Sequence, residues 1–214
     1  MKFRHGIRGQ APAHGAAGDS PLVLTELVGD GNDRECWRHP RDRALCIKVA
    51  KPEQERAQND IDFHYGRYLA RRNVHGPHLT RMHGWVCTDH GLGLVFDLVQ
   101  EPDGSPSPSL LQALRDGRIT HAQAVALVDE AFGWLIEHRV ILADYGLNNL
   151  LVRQGADGRR HLVFVDGLGA RNFGFQYWAR RTFGFKARKK ARQFREKTLR
   201  LLEKEPGSVY AQRP

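Results

Sequence analysis

The sequence predicts an α+β fold of two lobes, a small β-rich lobe followed by a short lobe that is mainly helical. In the first half, short apolar segments alternate with turn signals, and one helical segment falls between the third and fourth of five predicted strands. Residues 100–109, which read QEPDGSPSPS, form the clearest candidate for a lobe boundary. The predicted parts of the chain are a disordered leader (1–20), an N-lobe (21–99), a linker (100–109) and a C-lobe (110–214).

The N-lobe is predicted to contain five strands and one helix. The motif Gly29-Asp30-Gly31-Asn32-Asp33 is a strong turn signal between the first two strands. The helix is predicted to begin near Pro52, because proline suits the first turn of a helix. Ile61, Tyr65 and Leu69 then recur at helical spacing and predict its buried face. The predicted strands cover residues 21–28, 34–38, 44–50, 81–88 and 92–99.

The C-lobe is predicted to be mainly helical, with one small hairpin. Residues 120–138 place apolar side chains on one helical face, and Thr120 is a suitable N-cap. A polar loop runs from Asp144 to Asn149, and the hairpin that follows it ends at Asp166. The basic segment near the end of the sequence is predicted to form the last helix.

The composition is typical of a globular protein of the cytoplasm. Hydrophobic residues make up 41% and charged residues 27%, a balance that disordered chains do not show. Cys36, Cys46 and Cys87 form no Cys-x-x-Cys pair, so neither a zinc site nor a disulfide framework is predicted. No apolar run approaches the ~20 residues that span a bilayer, and the N-terminus lacks the apolar stretch of a signal peptide.

Most of the excess positive charge lies near the end of the sequence. The net charge is +9, and residues 176–205 alone contain eleven Lys or Arg and three Glu. Such a basic block favours an anionic partner. Because no recognised nucleic-acid-binding motif accompanies it, nucleic acid is the least favoured partner. Residues 180–200 are predicted to dock on an anionic membrane surface; the alternative is a solvated helix whose apolar residues pack on the domain.

The glycine turn is a candidate phosphate-binding element. Gly29 and Gly31 lie between two predicted strands, where the lack of a Cβ lets backbone N–H groups approach a phosphate closely. An ordinary hairpin turn is the alternative interpretation.

Lys48 is a second candidate, because it lies inside an apolar strand. A lysine there must face solvent or a partner, since burying an unpaired ammonium costs several kcal/mol. It is therefore either a phosphate-binding residue or an outward-facing residue of an edge strand. Asp62, on the flank of the predicted helix face, is the candidate acid that orients it, with Glu55 as the alternative.

The remaining candidates lie in the C-lobe and supply the other parts that phosphoryl transfer from ATP needs. Asp144 is the candidate residue that contacts the acceptor hydroxyl, the group that attacks the phosphate. Asn149 supplies a neutral oxygen and Asp166 a charged one, and Mg²⁺ prefers oxygen ligands of this kind. Each of these residues alone is ordinary in a loop, but the ordered set is far more specific.

These elements and residues resemble those of protein kinases. Lys48 resembles the lysine of the kinase V-A-I-K strand, while Asp144-x-x-x-x-Asn149 and Asp166-Gly167 reproduce the spacing of the catalytic loop and of the Asp-x-Gly segment. The sequence departs from the kinase pattern in having Leu142-Ala143 before Asp144 in place of His-Arg. Only 48 residues follow Asp166, and no Ala-Pro-Glu occurs, so the peptide-docking part of a protein kinase is expected to be missing.

The details resemble the PhoP regulatory network protein YrbL family more than ordinary protein kinases. The matching pieces are G-x-G-N-D-R-E-C-W-x-H-P at 29–40, C-I-K-V at 46–49, H-G-x-V-x-T-x-x-G-x-G-x-V-F-D at 83–97 and N-N-L-L-V at 148–152. The resemblance covers about residues 22–200. It implies a kinase-like fold and a link to PhoP-regulated envelope or magnesium stress, and it supplies no substrate.

The leading hypothesis is a phosphotransferase that uses ATP and Mg²⁺ and acts on a small-molecule, lipid or glycan hydroxyl. The alternative is a pseudokinase that binds nucleotide, or nothing, and signals by contact. The candidate residues are Gly29, Gly31, Lys48 and Asp62 for the nucleotide, Asn149 and Asp166 for the metal, and Asp144 and Lys48 for catalysis.

Overall fold

The computed structural model describes residues 20–53, 57–155, 158–169 and 184–205. The predicted leader, apart from its last residue, lies outside the described residues. So do Glu55 and the first cations of the basic block, Arg180 and Arg181.

The first half of the chain forms one antiparallel sheet of five strands in the order β1-β2-β3-β5-β4. The first predicted strand is shorter than expected, because Leu22 and Leu24 lie before β1 and pack on a face of the sheet. The strands are β1 Leu27–Asp30, β2 Arg34–Arg38, β3 Leu45–Ala50, β4 Met82–Thr88 and β5 Gly91–Asp97.

The two faces of the sheet have different roles. Ile47 and Val49 of β3 belong to an apolar cluster with Leu22 and Leu24. Cys46 alternates with them and belongs to a second cluster with Leu94 and Phe96. Because side chains alternate along a strand, Lys48 lies on the same face as Cys46. This second face contacts the rest of the molecule.

Helix α1, Ala57–Arg71, lies between β3 and β4 in sequence, as predicted. Pro52, where the helix was predicted to begin, lies in a turn ahead of it. Ile61, Tyr65 and Leu69 are buried, which confirms the predicted face.

The second half is helical with one hairpin, as predicted. Thr120 caps α3 by accepting from the Gln123 N–H, and the Gln123 side chain accepts from the Thr120 N–H, a capping box. The helices are α2 Leu110–Arg115, α3 His121–Glu137 and α4 Gly184–Leu202. The hairpin strands are β6 Leu150–Gln154 and β7 Arg160–Phe164, preceded by a 3₁₀ turn at Leu147–Asn149.

A five-stranded sheet with its helix after the third strand, followed by a helical part that carries a hairpin, is the kinase-like α+β arrangement that the sequence predicts. Tyr65 links the two halves, because it lies on α1 yet belongs to the large apolar cluster of the helical half. Its hydroxyl accepts a buried 2.6 Å hydrogen bond from the Ile141 N–H. Helix α1 is thereby fixed against the segment that leads to Asp144.

This hydrogen bond yields the first prediction. Tyr65→Phe leaves the buried Ile141 N–H without its acceptor, which should lower the free energy of unfolding by about 1–3 kcal/mol. Urea denaturation followed by circular dichroism measures this. Tyr68→Phe is the matched control, because that hydroxyl accepts a long 3.4 Å bond from Arg72 in an exposed position; its effect should stay within about 0.5 kcal/mol. Equal stability of Tyr65→Phe and the parent would show that this bond does not hold α1.

Candidate functional site

A cleft between the sheet and the loops of the second half contains most of the predicted site residues. Its cavity has a volume of about 340 Å³. A larger cavity of about 610 Å³ lies beside it, and Phe96, Val165 and Asp166 line both. The predicted residues that line the smaller cavity are Gly29, Gly31, Lys48, Asn149 and Asp166.

The glycine turn forms one edge of this cavity. The Gly31 N–H donates to the Arg34 carbonyl at 2.9 Å, which closes the turn between β1 and β2. A Cβ on Gly31 would lie only 3.1 Å from that oxygen, so the tight turn favours glycine.

Lys48 lies on a central strand and points into the molecule. Its strand pairs with β2 on one side and β5 on the other, and Lys48 is opposite Cys36 and Leu94. The ammonium donates to the Val165 carbonyl. It also lies 4.9 Å from the centre of the Phe96 ring. The interpretation of Lys48 as an outward residue of an edge strand is therefore excluded.

Asp62 binds Arg34, whereas the sequence paired it with Lys48. Nη1 of Arg34 donates to Oδ2 of Asp62 at 2.6 Å. Nη2 of the same guanidinium donates to Oδ1 of Asp166 at 2.7 Å. One arginine thus bridges the helix acid and the candidate metal ligand.

Arg34 is the principal site residue that sequence reasoning missed. The signal for it was the alternation along β2, which puts Arg34 and Cys36 on one face, next to the face of β3 that carries Lys48. An arginine on that face needs a buried partner for the reason already given for Lys48. The argument that a buried charge needs a partner therefore applies to Arg34 as well as to Lys48.

The polar groups around Arg34 satisfy one another. Nη1 also donates to Oδ1 of Asn59 at 2.9 Å, and the Asn59 amide donates to the Lys48 carbonyl at 3.0 Å. The second oxygen of Asp62 accepts from Gln58 at 3.0 Å. Buried charges persist when they are paired and hydrogen-bonded in this way. The network ties β2, β3 and α1 to the segment after β7.

Asp166 is held in its ionised form. Burial acts to raise the pKa of its carboxyl, but the charges of Lys48 and Arg34 outweigh burial and lower that pKa to about 2. The Gly167 N–H contributes a further 2.7 Å bond to Oδ1. Asp166 therefore carries a negative charge throughout the physiological pH range.

The loop that contains Asp144 is held by hydrogen bonds to the Asp144 carboxylate. The N–H groups of Tyr145 and Gly146 donate to Oδ1 at 2.6 and 3.1 Å, and the Asn149 amide donates to Oδ2 at 3.0 Å. These bonds orient Asp144 and also turn the amide nitrogen of Asn149 towards it. The amide oxygen of Asn149 is left for another partner.

Backbone contacts bring the loop of Asp144 beside Asp166. The Ala143 N–H donates to the Gly167 carbonyl at 2.6 Å. Gly167 has a φ of +73°, and a Cβ there would lie 2.6 Å from the Asp144 Cβ. Glycine is therefore required after Asp166, both for its backbone conformation and for this close approach.

The donors present fit a hard cation. The Val165 N–H donates to the Asn149 carbonyl at 3.1 Å, which places the amide of Asn149 near Asp166. Within the described ranges, no three His, Cys, Asp or Glu side chains converge as a metal site. A cation here would rest on one carboxylate, one amide oxygen and the phosphates of a ligand. Mg²⁺ and Mn²⁺ are commonly held in this way, whereas Zn²⁺ and Cu²⁺ favour nitrogen or sulfur ligands.

Two cysteines form part of the cleft, which the sequence did not indicate. Cys36 and Cys46 both line the smaller cavity, while Cys87 is exposed on β4. A hydrogen bond from Cys46, with the charges of Lys48 and Arg34, lowers the pKa of Cys36 to about 7 against the opposing effect of burial. Cys36 is thus a natural probe of the cleft.

The basic helix α4 packs on α3 through one face. Arg195 of this helix pairs with Asp129 of α3 at 2.8 Å. Its buried side chains are Ala187, Ala191, Phe194, Thr198 and Leu202. Its exposed charged residues are Lys186, Lys189, Arg192, Glu196, Lys197 and Arg200. The part of the chain that the structure describes contains no helix long and apolar enough to cross a membrane.

The fold, with its glycine turn, strand lysine and two acidic loops around one cleft, defines the chain as a protein-kinase-like protein. The model of the PhoP regulatory network protein YrbL family matches residues 22–201, and the chain belongs to that family. It is 28% identical to the uncharacterized protein YrbL of Escherichia coli over 146 residues, which cover 66% of this chain and 70% of that protein. The YrbL protein of Shigella flexneri matches to the same extent.

Among solved structures, the chain is similar to the PknI kinase domain of Mycobacterium tuberculosis, with a TM-score of 0.44 and 18% identity. That match covers 67% of this chain and 57% of the kinase chain. The matched part therefore spans little more than half of the kinase chain.

Proposed function

We propose that this protein is a phosphotransferase that uses ATP and Mg²⁺ to phosphorylate a non-protein hydroxyl, on a small molecule, a lipid or a glycan. The observation that carries this proposal is that one cavity is lined by the glycine turn, Lys48, Asn149 and Asp166. These residues come from four separate parts of the sequence, and phosphoryl transfer needs little more than such positioning and charge.

Each residue has a role that its position supports. The glycine turn would cover the phosphates of the nucleotide, and Lys48 would bind them through its ammonium. Asp166 and the amide oxygen of Asn149 would hold Mg²⁺, which neutralises phosphate charge when it is bound. Asp144, oriented by its own loop, would accept the proton of the attacking hydroxyl.

A non-protein acceptor is favoured because the sequence contains no Ala-Pro-Glu after Asp166. In protein kinases that motif follows the activation loop. The alternative is a pseudokinase that regulates a partner by contact. It is supported by the Leu142-Ala143 that stands before Asp144 in place of His-Arg, and by the engagement of Asp166 with Arg34.

The second prediction tests the metal site. Asp166→Ala should abolish the gain in ATP affinity that Mg²⁺ produces, because the charged ligand of the cation is lost. Isothermal titration with ATP, with Mg²⁺ and with EDTA, measures this gain. Protection of Cys36 from iodoacetamide by Mg·ATP gives a second readout, with the exposed Cys87 as the internal reference.

Asp129→Ala is the matched control for Asp166→Ala. Asp129 also pairs with an arginine and is similarly exposed, at 43% against 40% for Asp166, but it lies on α3 and is not among the residues that line the cleft. This control should keep the parent's response to Mg²⁺. If Asp166→Ala binds Mg·ATP as the parent does, the proposed metal site is wrong.

The third prediction separates an enzyme from a pseudokinase. Slow hydrolysis of ATP should be detectable without an acceptor, since water can replace the hydroxyl. Asp144→Asn should slow it at least about tenfold, or roughly 1.4 kcal/mol of barrier, because the amide cannot accept the proton. Release of labelled phosphate measures the rate, and ATP titration checks that binding persists. A parent that binds ATP but neither hydrolyses it nor phosphorylates small-molecule, lipid or glycan acceptors would support the pseudokinase.

The fourth prediction concerns docking of the domain on an anionic membrane surface, which we propose for the exposed side of α4. Each Lys or Arg near such a surface contributes about 1 kcal/mol. Changing Lys189, Arg192 and Arg200 to Gln should therefore reduce co-sedimentation with anionic liposomes at about 0.1 M salt, where the Debye length is about 10 Å. Exchanging the same lysine for Arg and the arginines for Lys keeps the charge and should keep the binding. Equal recovery on neutral and anionic liposomes would leave α4 as a solvated, packed helix.

A further inference from the structure

Arg34 holds a position between two carboxylates that belong to different parts of the molecule. Asp62 comes from α1, and Asp166 follows β7, 132 residues further along the chain than Arg34. Together with Lys48, the cluster has two positive and two negative charges, so it is balanced without any ligand. A charged ligand that binds in the cleft therefore disturbs this balance of charges.

The guanidinium of Arg34 already occupies one oxygen of Asp166 and places a positive charge beside this carboxylate. Nη2 lies 2.7 Å from Oδ1, and the Gly167 N–H meets the same oxygen at 2.7 Å. A divalent cation that approached Asp166 would therefore be repelled by a fixed positive charge a few ångströms away. As long as this ion pair is intact, Asp166 is a poor ligand for a cation.

The two ion pairs of Arg34 differ in how readily they can open. The pair with Asp62 is buried on both sides, with side-chain exposures of 7% and 9%. Gln58 and Asn59 hold it further. Asp166 is 40% exposed, so water or an anionic ligand can reach it and replace it. The bond to Asp62 is thus the lasting one, and the bond to Asp166 is the exchangeable one.

Arg34 also faces the space that phosphates would occupy. It lines the same cavity as Gly29, Gly31 and Lys48, and its carbonyl accepts the hydrogen bond that closes the glycine turn. A guanidinium has five N–H donors and binds phosphate oxygens in a fork that a lysine ammonium cannot match. An arginine held from behind by Asp62 is therefore well placed to receive a polyphosphate.

We infer that Arg34 is a phosphate-binding residue of the cleft and that it holds Asp166 as an internal counter-ion until a polyphosphate replaces that carboxylate. The inference rests on the proposed function and adds a regulatory step to its site. Asp166 becomes free to hold a cation only when phosphate has taken the guanidinium. Cation and phosphate therefore bind cooperatively, and neither the cation alone nor adenosine opens the ion pair.

The test is a pair of binding measurements on Arg34→Gln that should change in opposite directions. In EDTA, ATP and inorganic triphosphate should bind the variant at least about tenfold more weakly than they bind the parent, whereas adenosine should bind both equally. Without nucleotide, Mn²⁺ should bind the variant at least about tenfold more tightly, as followed by the electron paramagnetic resonance signal of free Mn²⁺. An opposite charge at this distance shifts the pKa of a carboxyl group by about 1–3 units, and one such unit corresponds to a tenfold change in an equilibrium constant.

Three further variants keep the test decisive. Arg38→Gln removes another buried arginine of β2, which pairs with Glu26, and it should alter neither measurement. Arg34→Lys keeps the charge and should stay close to the parent in the binding of Mn²⁺. Arg34→Gln combined with Asp62→Asn removes a charge of each sign, so it avoids an unpaired buried carboxylate if the single variant fails to fold; it should show the same opposite changes.

The outcomes distinguish this inference from the proposed function. If the parent binds no nucleotide with or without Mg²⁺, the proposed function fails, and the inference with it. If the parent binds Mg·ATP but Arg34→Gln shows the parent's affinity for Mn²⁺ and for triphosphate, the inference alone is overturned, and Arg34 only joins the two halves of the protein. If Arg34→Gln binds every ligand more weakly, adenosine included, the role of Arg34 is purely structural.

Discussion

The structure depends on the bridge that Arg34 makes between Asp62 and Asp166. A charged group on the inner face of a sheet must be paired, because the cost of an unpaired buried charge exceeds what a small domain can tolerate. The bridge meets this requirement by joining α1 and the loop after β7 to the first hairpin of the sheet. The bridge therefore contributes, together with apolar packing, to the relative position of the two halves and to the shape of the cleft.

Apolar packing provides the second connection between the halves. Tyr65 and Leu69 of α1 are buried in the same cluster as residues of α3 and of the hairpin. The Tyr65 hydroxyl holds the backbone at Ile141, and the ring lies against Gly169. One helix therefore carries both a charged contact and an apolar contact with the second half. A substitution on α1 is therefore expected to alter the positions of both Asp144 and Asp166.

The candidate site is composed of short loops that are each closed by their own hydrogen bonds. The Asp144 carboxylate organises the loop that contains it, and Gly167 allows the next loop to approach within contact distance. Each of these loops is therefore held largely by contacts within the site itself.

Much of this could be predicted from the sequence, because periodicity and turn residues are local properties. The alternation in β3, the helical spacing of Ile61 and Tyr65, and the capping of α3 by Thr120 each depend on residues a few positions apart. The partner of Asp62 could not be predicted, because Arg34 and Lys48 are both cations on the inner face of the sheet, and sequence spacing does not say which reaches α1. Only the register of β2 against β3 and the docking of α1 decide that contact, and both are set by packing between residues far apart in the chain.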